Sequence, residues 1–208
     1  HVTMFKDAIE VWSTPEQREY WRELMRNHAI FGTYVQTELG HGTYLRGLET
    51  IATFDKNTDE FILDSPTLTS IKFWPGSAAH SSNFAIVMAK LIIDKKDHGI
   101  HAFLVQLRSL ENHKVVPGLE LGDIGRKFGF DTTDNAYLKF NKLRIPRQYM
   151  LMRFARVTPE GKFERLGSEL LMYAAMLLMR GTLCLYGTFF LMITTTIAIR
   201  YSCVRRQT

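Results

Sequence analysis

The sequence predicts an α+β protein, in which an antiparallel, barrel-like middle β domain is flanked by helical segments. A capped amphipathic helix begins near residue 14, hairpin signatures follow one another between residues 31 and 152, and a long apolar helical segment occupies the last forty residues. Because no helical crossovers separate the predicted strands, the pattern favours an antiparallel sheet over a βαβ fold. We therefore expect three parts, residues 1–30, 31–152 and 153–208.

Length and composition agree with a folded protein. The chain has 208 residues, of which 46% are hydrophobic and 23% charged, as in globular domains. It starts with His1 instead of methionine, and we expect it to be an internal piece of a longer protein. The net charge is +5. A positive surface suits an anionic partner, but no nucleic-acid motif accompanies it, so we expect no nucleic acid.

The first helix has a strong start signal. Thr14 can cap it, Pro15 suits the first helical position, Glu16 meets the positive end of the helix dipole, and Gln17 completes a capping box. Apolar and aromatic side chains then share one face, which we expect to pack against the core: Tyr20, Trp21, Leu24 and Met25.

Two hairpins are expected in the β region. Residues 50–54 and 60–63 flank the polar turn 55–59, and residues 84–93 and 100–107 flank the polar turn 94–99. Apolar runs separated by short polar turns are typical of antiparallel hairpins.

The segment Gly32–Gly47 combines a short strand with a loop that loses its large apolar side chains. Glycines at positions 40 and 42 could bring backbone close to a ligand, and Thr37 and Glu38 add a hydroxyl and a carboxylate. The segment lacks the Lys-Ser/Thr of a P-loop and the third glycine of a dinucleotide fingerprint. An ordinary strand-ending turn remains an alternative.

The stretch Lys72–Gly76 ends another predicted strand. Trp74 offers a flat face for stacking, and Gly76 allows a backbone N–H to approach a ring edge. A tryptophan in such a place can equally be part of the core.

Residues 181–199 carry no charge, so the final helix could be either a membrane span or the core of a helical bundle. Its glycines, threonines and tyrosines, and the preceding Arg180, favour the bundle, and we expect no membrane span. Cys184 and Cys203 would lie roughly 28 Å apart along this helix, too far for a disulfide. No metal-binding motif is present in the sequence, and we expect no metal.

Several unusual sequence motifs, in the same order along the chain, resemble those of the peroxisomal acyl-CoA oxidases of the acyl-CoA dehydrogenase superfamily. They cover nearly the whole chain and comprise residues 32–50, 69–76, 122–125, 144–147 and 198–207. The resemblance implies the acyl-CoA dehydrogenase-like fold, with a flavin-binding middle domain and the start of a C-terminal helical bundle.

The resemblance also implies FAD as cofactor, with Thr37, Trp74, Gly76 and Arg205 as cofactor-binding residues. Thr37 would bond the pyrimidine edge of the flavin, Trp74 and Gly76 would lie against the ring, and Arg205 would reach the diphosphate, commonly on a neighbouring subunit. A homodimer is therefore expected. The alternative is that Arg205 only stabilises the C-terminal end of the helix, where a positive charge interacts favourably with the helix dipole.

The implied reaction is α,β-dehydrogenation of fatty acyl-CoA to trans-2-enoyl-CoA with O2 as electron acceptor, in the peroxisome. The family's catalytic glutamate lies beyond the segment matched by Thr208, so we expect no catalytic residue within this chain, and Glu38 does not match that position. Two alternatives stay open: an acyl-CoA dehydrogenase, or a truncated, inactive chain that only binds flavin or pairs with other subunits.

Overall fold

The computed structural model describes residues 2–168, 171 and 174–207. These residues divide into two compact units, His1–Met172 and Tyr173–Thr208. The first contains helices α1 (Val2–Trp12) and α2 (Pro15–Arg26) and strands β1 (Gly32–Val35), β2 (Ile51–Asp55), β3 (Glu60–Asp64), β4 (Lys72–Gly76), β5 (Phe84–Ile93), β6 (Lys96–Gln106), β7 (Leu119–Asp123), β8 (Asn135–Phe140), β9 (Leu143–Pro146), β10 (Ala155–Val157) and β11 (Phe163–Arg165). The second contains helix α3 (Ala174–Val204). The division at residues 30 and 152 stays a prediction.

Helix α2 begins as predicted. Thr14 Oγ1 accepts a hydrogen bond from Gln17 N at 3.2 Å, and Gln17 Oε1 accepts one from Thr14 N at 3.1 Å, which completes the capping box. Trp21 is buried, but Tyr20 is exposed, so its assignment to the core-facing side is wrong. The Tyr20 ring instead packs edge-on against Trp21, with the ring centroids 4.8 Å apart.

The two predicted hairpins are confirmed. Strands β2 and β3 pair antiparallel, and so do β5 and β6. The second turn is shorter than expected, because Asp94 and Lys95 alone connect the strands, both with positive φ. Two such residues in a row are typical of the tight hairpin turn whose twist matches that of its strands.

The main sheet is mixed, so the expectation of a wholly antiparallel sheet is wrong. Strands β1 and β2 both run parallel to β5, while β6 occupies the other edge of β5. The ten residues of β5 are enough to pair with both short strands, one near each end. Apolar alternation in the sequence predicts each strand but carries no information about its partner, which is why the parallel pairs were missed.

The sheet curls as a half-barrel around the core. It continues from β2 through β3 to β9, and the chain after β9 returns to β6, where Phe103 bridges Met150 and Leu151 N donates to Ala102 O. A second sheet has the order β4-β8-β7. Buried side chains of both sheets form one core, in which Phe61 packs edge-on against Phe103. Closure into an antiparallel barrel is not confirmed.

After residue 152 the chain forms a hairpin before it becomes helical. Strands β10 and β11 pair antiparallel, with Val157 opposite Phe163. No strand is predicted here from the sequence. The two strands are three residues each, too short to produce a recognisable alternation.

Helix α3 forms the second unit, and it contains both cysteines. The segment Arg180–Val204 is long and apolar enough to cross a membrane by length and composition, and its described side chains are exposed. The described residues of this chain therefore do not bury helix α3, and its burial in a helical bundle stays a prediction.

Burial of a histidine makes the first unit sensitive to acid. Burial lowers the pKa of His101 to about 4 from its ordinary 6.5, so the unfolded chain binds more protons than the folded chain between these values. Its contribution to stability is complete above pH 6.5 and is lost as the pH falls towards 4. We expect the free energy of unfolding to fall by about 2 kcal/mol more between pH 7 and pH 5 than it does in His101→Gln. Urea unfolding at both pH values checks this, and equal losses in the two proteins would contradict it.

Candidate functional site

Strands β1 and β4 run side by side in opposite directions and bring the two predicted parts of the site together. Thr33 Oγ1 donates to Gly76 O at 2.7 Å, and at the other end Phe73 N donates to Thr37 O at 2.9 Å. Thr37 therefore lies next to the corner Trp74–Gly76. The roles of these residues in binding remain predictions.

Thr37 has an unused hydroxyl. The residue is half-buried, and its Oγ1 forms no hydrogen bond to another residue in the described part of the chain. Gly76 is buried, and its carbonyl is taken by Thr33, so that carbonyl is not available to a ligand. The hydroxyl of Thr37 is therefore one polar group that this corner can offer to a ligand.

Trp74 presents an aromatic face on a strained backbone. Its φ is +81°, in the left-handed region that bulky residues avoid, at a cost of about 1–3 kcal/mol. The side chain is 49% exposed and packs at right angles to Phe73, with ring centroids 5.5 Å apart. Because strain of this kind persists only where the surroundings enforce it, the contacts around Trp74 must hold its backbone in this conformation.

A buried ion pair shapes the loop that carries Thr37. Lys72 Nζ lies 3.0 Å from Glu38 Oε1, and both side chains are fully buried. The lysine also donates to the carbonyls of Gln36 and Met88 at 3.0 and 2.7 Å, so all three of its protons have partners. The backbone on one side of Thr37 and the side chain on the other are thus both held by Lys72.

The carboxylate of Glu38 is committed within the fold. Its Oε2 accepts from Glu49 N at 2.7 Å, and its Oε1 accepts from the backbone N and the hydroxyl of Thr50 at 2.9 and 2.6 Å. Burial lowers the pKa of Lys72 to about 8, while the charge of Glu38 and its hydrogen bond oppose the change. At neutral pH Lys72 is therefore charged, and Glu38, whose side chain is fully buried, is a structural group that is not exposed to a ligand.

The turn after Gly76 is held by an arginine. Arg108, which is buried, donates to the carbonyls of Ala78, Ala79 and Ser82 at 2.8, 2.5 and 2.6 Å. Asp134 binds the backbone N–H groups of the same turn. The carboxylate of Asp134 accepts hydrogen bonds from the N–H groups of residues 79 and 80, and the backbone carbonyl of Asp134 accepts one from the N–H of residue 77. The corner that includes Trp74 and Gly76 therefore rests on a turn that is fixed on both its donor and acceptor sides.

The glycine-rich loop is fastened to the neighbouring segment. Gly40 N donates to Thr69 O at 3.0 Å, and a Cβ at Gly40 would lie 2.7 Å from Thr69 Cβ. His41 Nε2 lies 2.8 Å from Glu49 Oε1. Gly40 is therefore required by packing within the chain, Gly42 faces open space, and His41 has the structural role that is the more common one for an isolated histidine.

Arg205 follows the C-terminal end of α3 and is exposed. Its guanidinium contacts the ring and the hydroxyl of Tyr201. It belongs to the second unit of the chain. Its assignment to a cofactor diphosphate stays a prediction.

Sequence reasoning named Thr37 and the corner Trp74–Gly76, which the structure brings together, but it missed the residues that support them. Lys72, Arg108 and Asn135 are buried polar residues that contact the site segments. Nothing in the sequence distinguishes Lys72 or Arg108 from the chain's other cations. The one usable signal was Glu38, the only carboxylate in the loop between residues 32 and 47.

The arrangement suits a planar heteroaromatic ligand. The half-exposed indole of Trp74 offers a stacking face, and the adjacent hydroxyl of Thr37 offers a donor and an acceptor. Buried charged side chains fix the backbone near both residues. These groups match an isoalloxazine, which has flat faces and a polar pyrimidine edge. The described residues therefore fit a flavin.

Comparisons with known proteins identify relatives over almost the whole chain. Human peroxisomal acyl-coenzyme A oxidase 1 is 49% identical over 205 residues, which are 99% of this chain and 31% of the relative. The same protein from Rattus norvegicus gives the same identity and coverage. The chain thus spans about a third of the length of the curated relatives that it matches. No family model matches it.

Solved structures of acyl-CoA oxidases are also similar to this chain. Acyl-CoA oxidase 1 from Arabidopsis thaliana has a TM-score of 0.95 at 45% identity, covering 99% of this chain and 32% of that one. An acyl-CoA oxidase from tomato has a TM-score of 0.94 at 48% identity, with the same coverage. Acyl-CoA oxidase-2 from Caenorhabditis elegans, described as bound with FAD, ascaroside-CoA and ATP, has a TM-score of 0.93 at 41% identity and covers 100% of this chain and 32% of that one.

The mixed α+β fold, with Thr37 next to the corner Trp74–Gly76, is similar to the corresponding part of solved acyl-CoA oxidases. The sequence matches make this more specific. The chain is homologous to a segment of the peroxisomal acyl-CoA oxidases, which confirms the resemblance inferred from the sequence words.

Proposed function

We propose that this chain is the flavin-binding segment of an FAD-dependent peroxisomal acyl-CoA oxidase with an acyl-CoA dehydrogenase-like fold. The protein that contains it would convert fatty acyl-CoA to trans-2-enoyl-CoA, pass the electrons to O2 and act as a homodimer in the peroxisome. The observation that carries the proposal is the antiparallel contact between β1 and β4, which joins Thr37 to the Trp74–Gly76 corner. The FAD-bound relative from Caenorhabditis elegans supports it.

The chain's own residues would bind and orient the cofactor. The face of Trp74 would stack on the flavin ring and exclude water from it, and Thr37 would hydrogen-bond the polar edge. The N–H or Cα of Gly76 would allow close approach, since its carbonyl is already bonded to Thr33. Arg205 of a second copy of the chain would contribute a positive charge to the diphosphate.

Bound FAD would supply the two-electron acceptor for dehydrogenation, with O2 reduced to H2O2 as the electrons move on. The described residues would contribute orientation and hydrogen bonding. Glu38 is excluded as the base that removes the α-proton, because it is buried and bonded to Glu49, Thr50 and Lys72. We assign the base to no residue of the described chain.

Flavin binding tests the first half of the proposal. We expect the purified chain, reconstituted with FAD and freed of excess cofactor, to retain a yellow flavin spectrum with bands that differ from those of free FAD. A colourless protein that leaves the fluorescence of added FAD unchanged would contradict the proposal.

The electron acceptor tests the second half. A full-length protein carrying this segment is expected to form H2O2 from acyl-CoA under air. Acyl-CoA-dependent reduction of an artificial electron acceptor without peroxide would identify a dehydrogenase instead. Flavin binding and association with other subunits, without turnover by either assay, would identify a catalytically silent chain.

A further inference from the structure

The exposed position of Trp74 is unexpected for a residue at its place in strand β4. Side chains at alternate positions of a regular strand share one face, so residues 72 and 74 should point the same way. Lys72 is completely buried. A regular strand would therefore bury the indole beside Lys72, whereas the structure leaves it 49% exposed.

A bulge in the pairing of β4 with β8 turns the indole outward. Phe73 lies opposite Tyr137 and Gly76 lies opposite Asn135, so the two residues between them, Trp74 and Pro75, face a single residue of β8. A bulge of this kind bends the strand and redirects a side chain. Pro75 has no N–H, which suits a position that does not pair in the ladder.

One side chain secures the backbone of the bulge. Asn135 Nδ2 donates to the carbonyl of Trp74 at 2.7 Å, and Asn135 is 8% exposed. This bond satisfies the carbonyl of a residue whose φ is +81°. Without the amide, that carbonyl would lose its hydrogen-bond partner, and the left-handed conformation would lose the contact that favours it.

We infer that Asn135 is a positioning residue that holds Trp74 in its outward conformation, and so sets the stacking wall of the site. The inference rests on the proposed function for the identity of the ligand as a flavin. The geometry of the tryptophan itself can be tested without any cofactor, so the two can fail separately.

Tryptophan fluorescence reports on this residue selectively. The chain has three tryptophans, and Trp12 and Trp21 are buried at 1% and 2% exposure. Acrylamide, which quenches exposed tryptophans, should therefore act mainly on Trp74, and a Trp74→Phe variant measures the background of the other two. The Stern–Volmer constant of the accessible fraction then follows the exposure of Trp74.

The test variant is Asn135→Asp, which keeps the size of the side chain but removes its N–H donor. The matched control is Asn83→Asp, because Asn83 Nδ2 also donates to a backbone carbonyl, that of Ala29 at 3.0 Å. We expect Asn135→Asp to lower the quenching constant of Trp74 at least twofold and Asn83→Asp to leave it unchanged. If circular dichroism shows that Asn135→Asp does not fold, Asn135→Ser replaces it as the test variant. Serine is uncharged, and its side chain is too short to reach the carbonyl of Trp74.

FAD titration provides the second measurement. We expect Asn135→Asp to weaken FAD binding about tenfold and Asn135→Gln, which retains an amide donor, to recover part of the loss. Quenching equal to that of the unmodified chain in both Asn135→Asp and Asn135→Ser, or an equal change in Asn83→Asp, would overturn the inference. If the unmodified chain does not bind FAD, the proposed function fails, and the quenching result still decides the role of Asn135.

Discussion

Replacing Lys72 by methionine should lower the free energy of unfolding by about 3–5 kcal/mol, because it leaves the carboxylate of Glu38 buried without its counter-charge. Methionine fills a similar volume, so the effect would come from the lost charge and hydrogen bonds. Lys72 also holds the carbonyls of Gln36 and Met88, which lose a donor in the same substitution. Urea unfolding followed by circular dichroism gives the free energy.

Two further variants separate the ion pair from general damage. Lys56 is exposed, so Lys56→Met should change the free energy of unfolding by less than about 0.5 kcal/mol. Adding Glu38→Gln to Lys72→Met removes the buried charge while keeping an acceptor oxygen for one of the two backbone N–H groups, and should restore at least about 1 kcal/mol. A Lys72→Met chain as stable as Lys56→Met would show that the pair does not support the loop.

Replacing Arg108 by methionine should cost about 3–5 kcal/mol, since it leaves three buried carbonyls, those of Ala78, Ala79 and Ser82, without their donor. Arg108→Lys should recover only part of this, because a single ammonium group cannot reproduce the fork of the guanidinium. Chemical unfolding measures both. The exposed Arg126 provides the control, and a loss no larger than that of Arg126→Met would contradict the prediction.

These two cations explain what the sequence could and could not predict. The capping box at Thr14 and the two hairpins followed from local signals, namely cap residues and apolar alternation. The neighbouring positions of Thr37 and Trp74, which are distant in sequence, followed instead from the resemblance to the acyl-CoA oxidases. The sequence motifs behind this resemblance also pointed to the relatives that the sequence comparison found. Local signals are enough where a feature is encoded by adjacent residues.

Features that depend on distant partners could not be predicted. The parallel pairing of β1 and β2 with β5 joins residues that are 52 and 39 positions apart in the sequence, respectively. The partners of Lys72 lie 16 to 36 residues away, and those of Arg108 lie 26 to 30 residues away. A buried lysine and an exposed one look the same in a sequence, because their burial is decided by tertiary packing.

The supports act on the two walls separately. Lys72 and Glu38 fix the segment around Thr37, whereas Arg108 and Asp134 fix the turn that follows Gly76. Contacts between β1 and β4 then set the distance between the walls. In the proposed site, these supports would establish the orientation of both walls before a ligand arrives.

FAD binding by the unmodified chain, Trp74→Ala and Tyr20→Ala tests the central claim most directly. Tyr20 is a matched control, as another exposed aromatic residue of the same unit, 56% exposed and outside the site. We expect Trp74→Ala to weaken FAD binding about tenfold or more, in line with the loss of one stacking face, and Tyr20→Ala to leave it unchanged. Equal affinity of all three proteins for FAD, or no binding by any of them, would contradict the assignment of Thr37 and the Trp74–Gly76 corner as a flavin site.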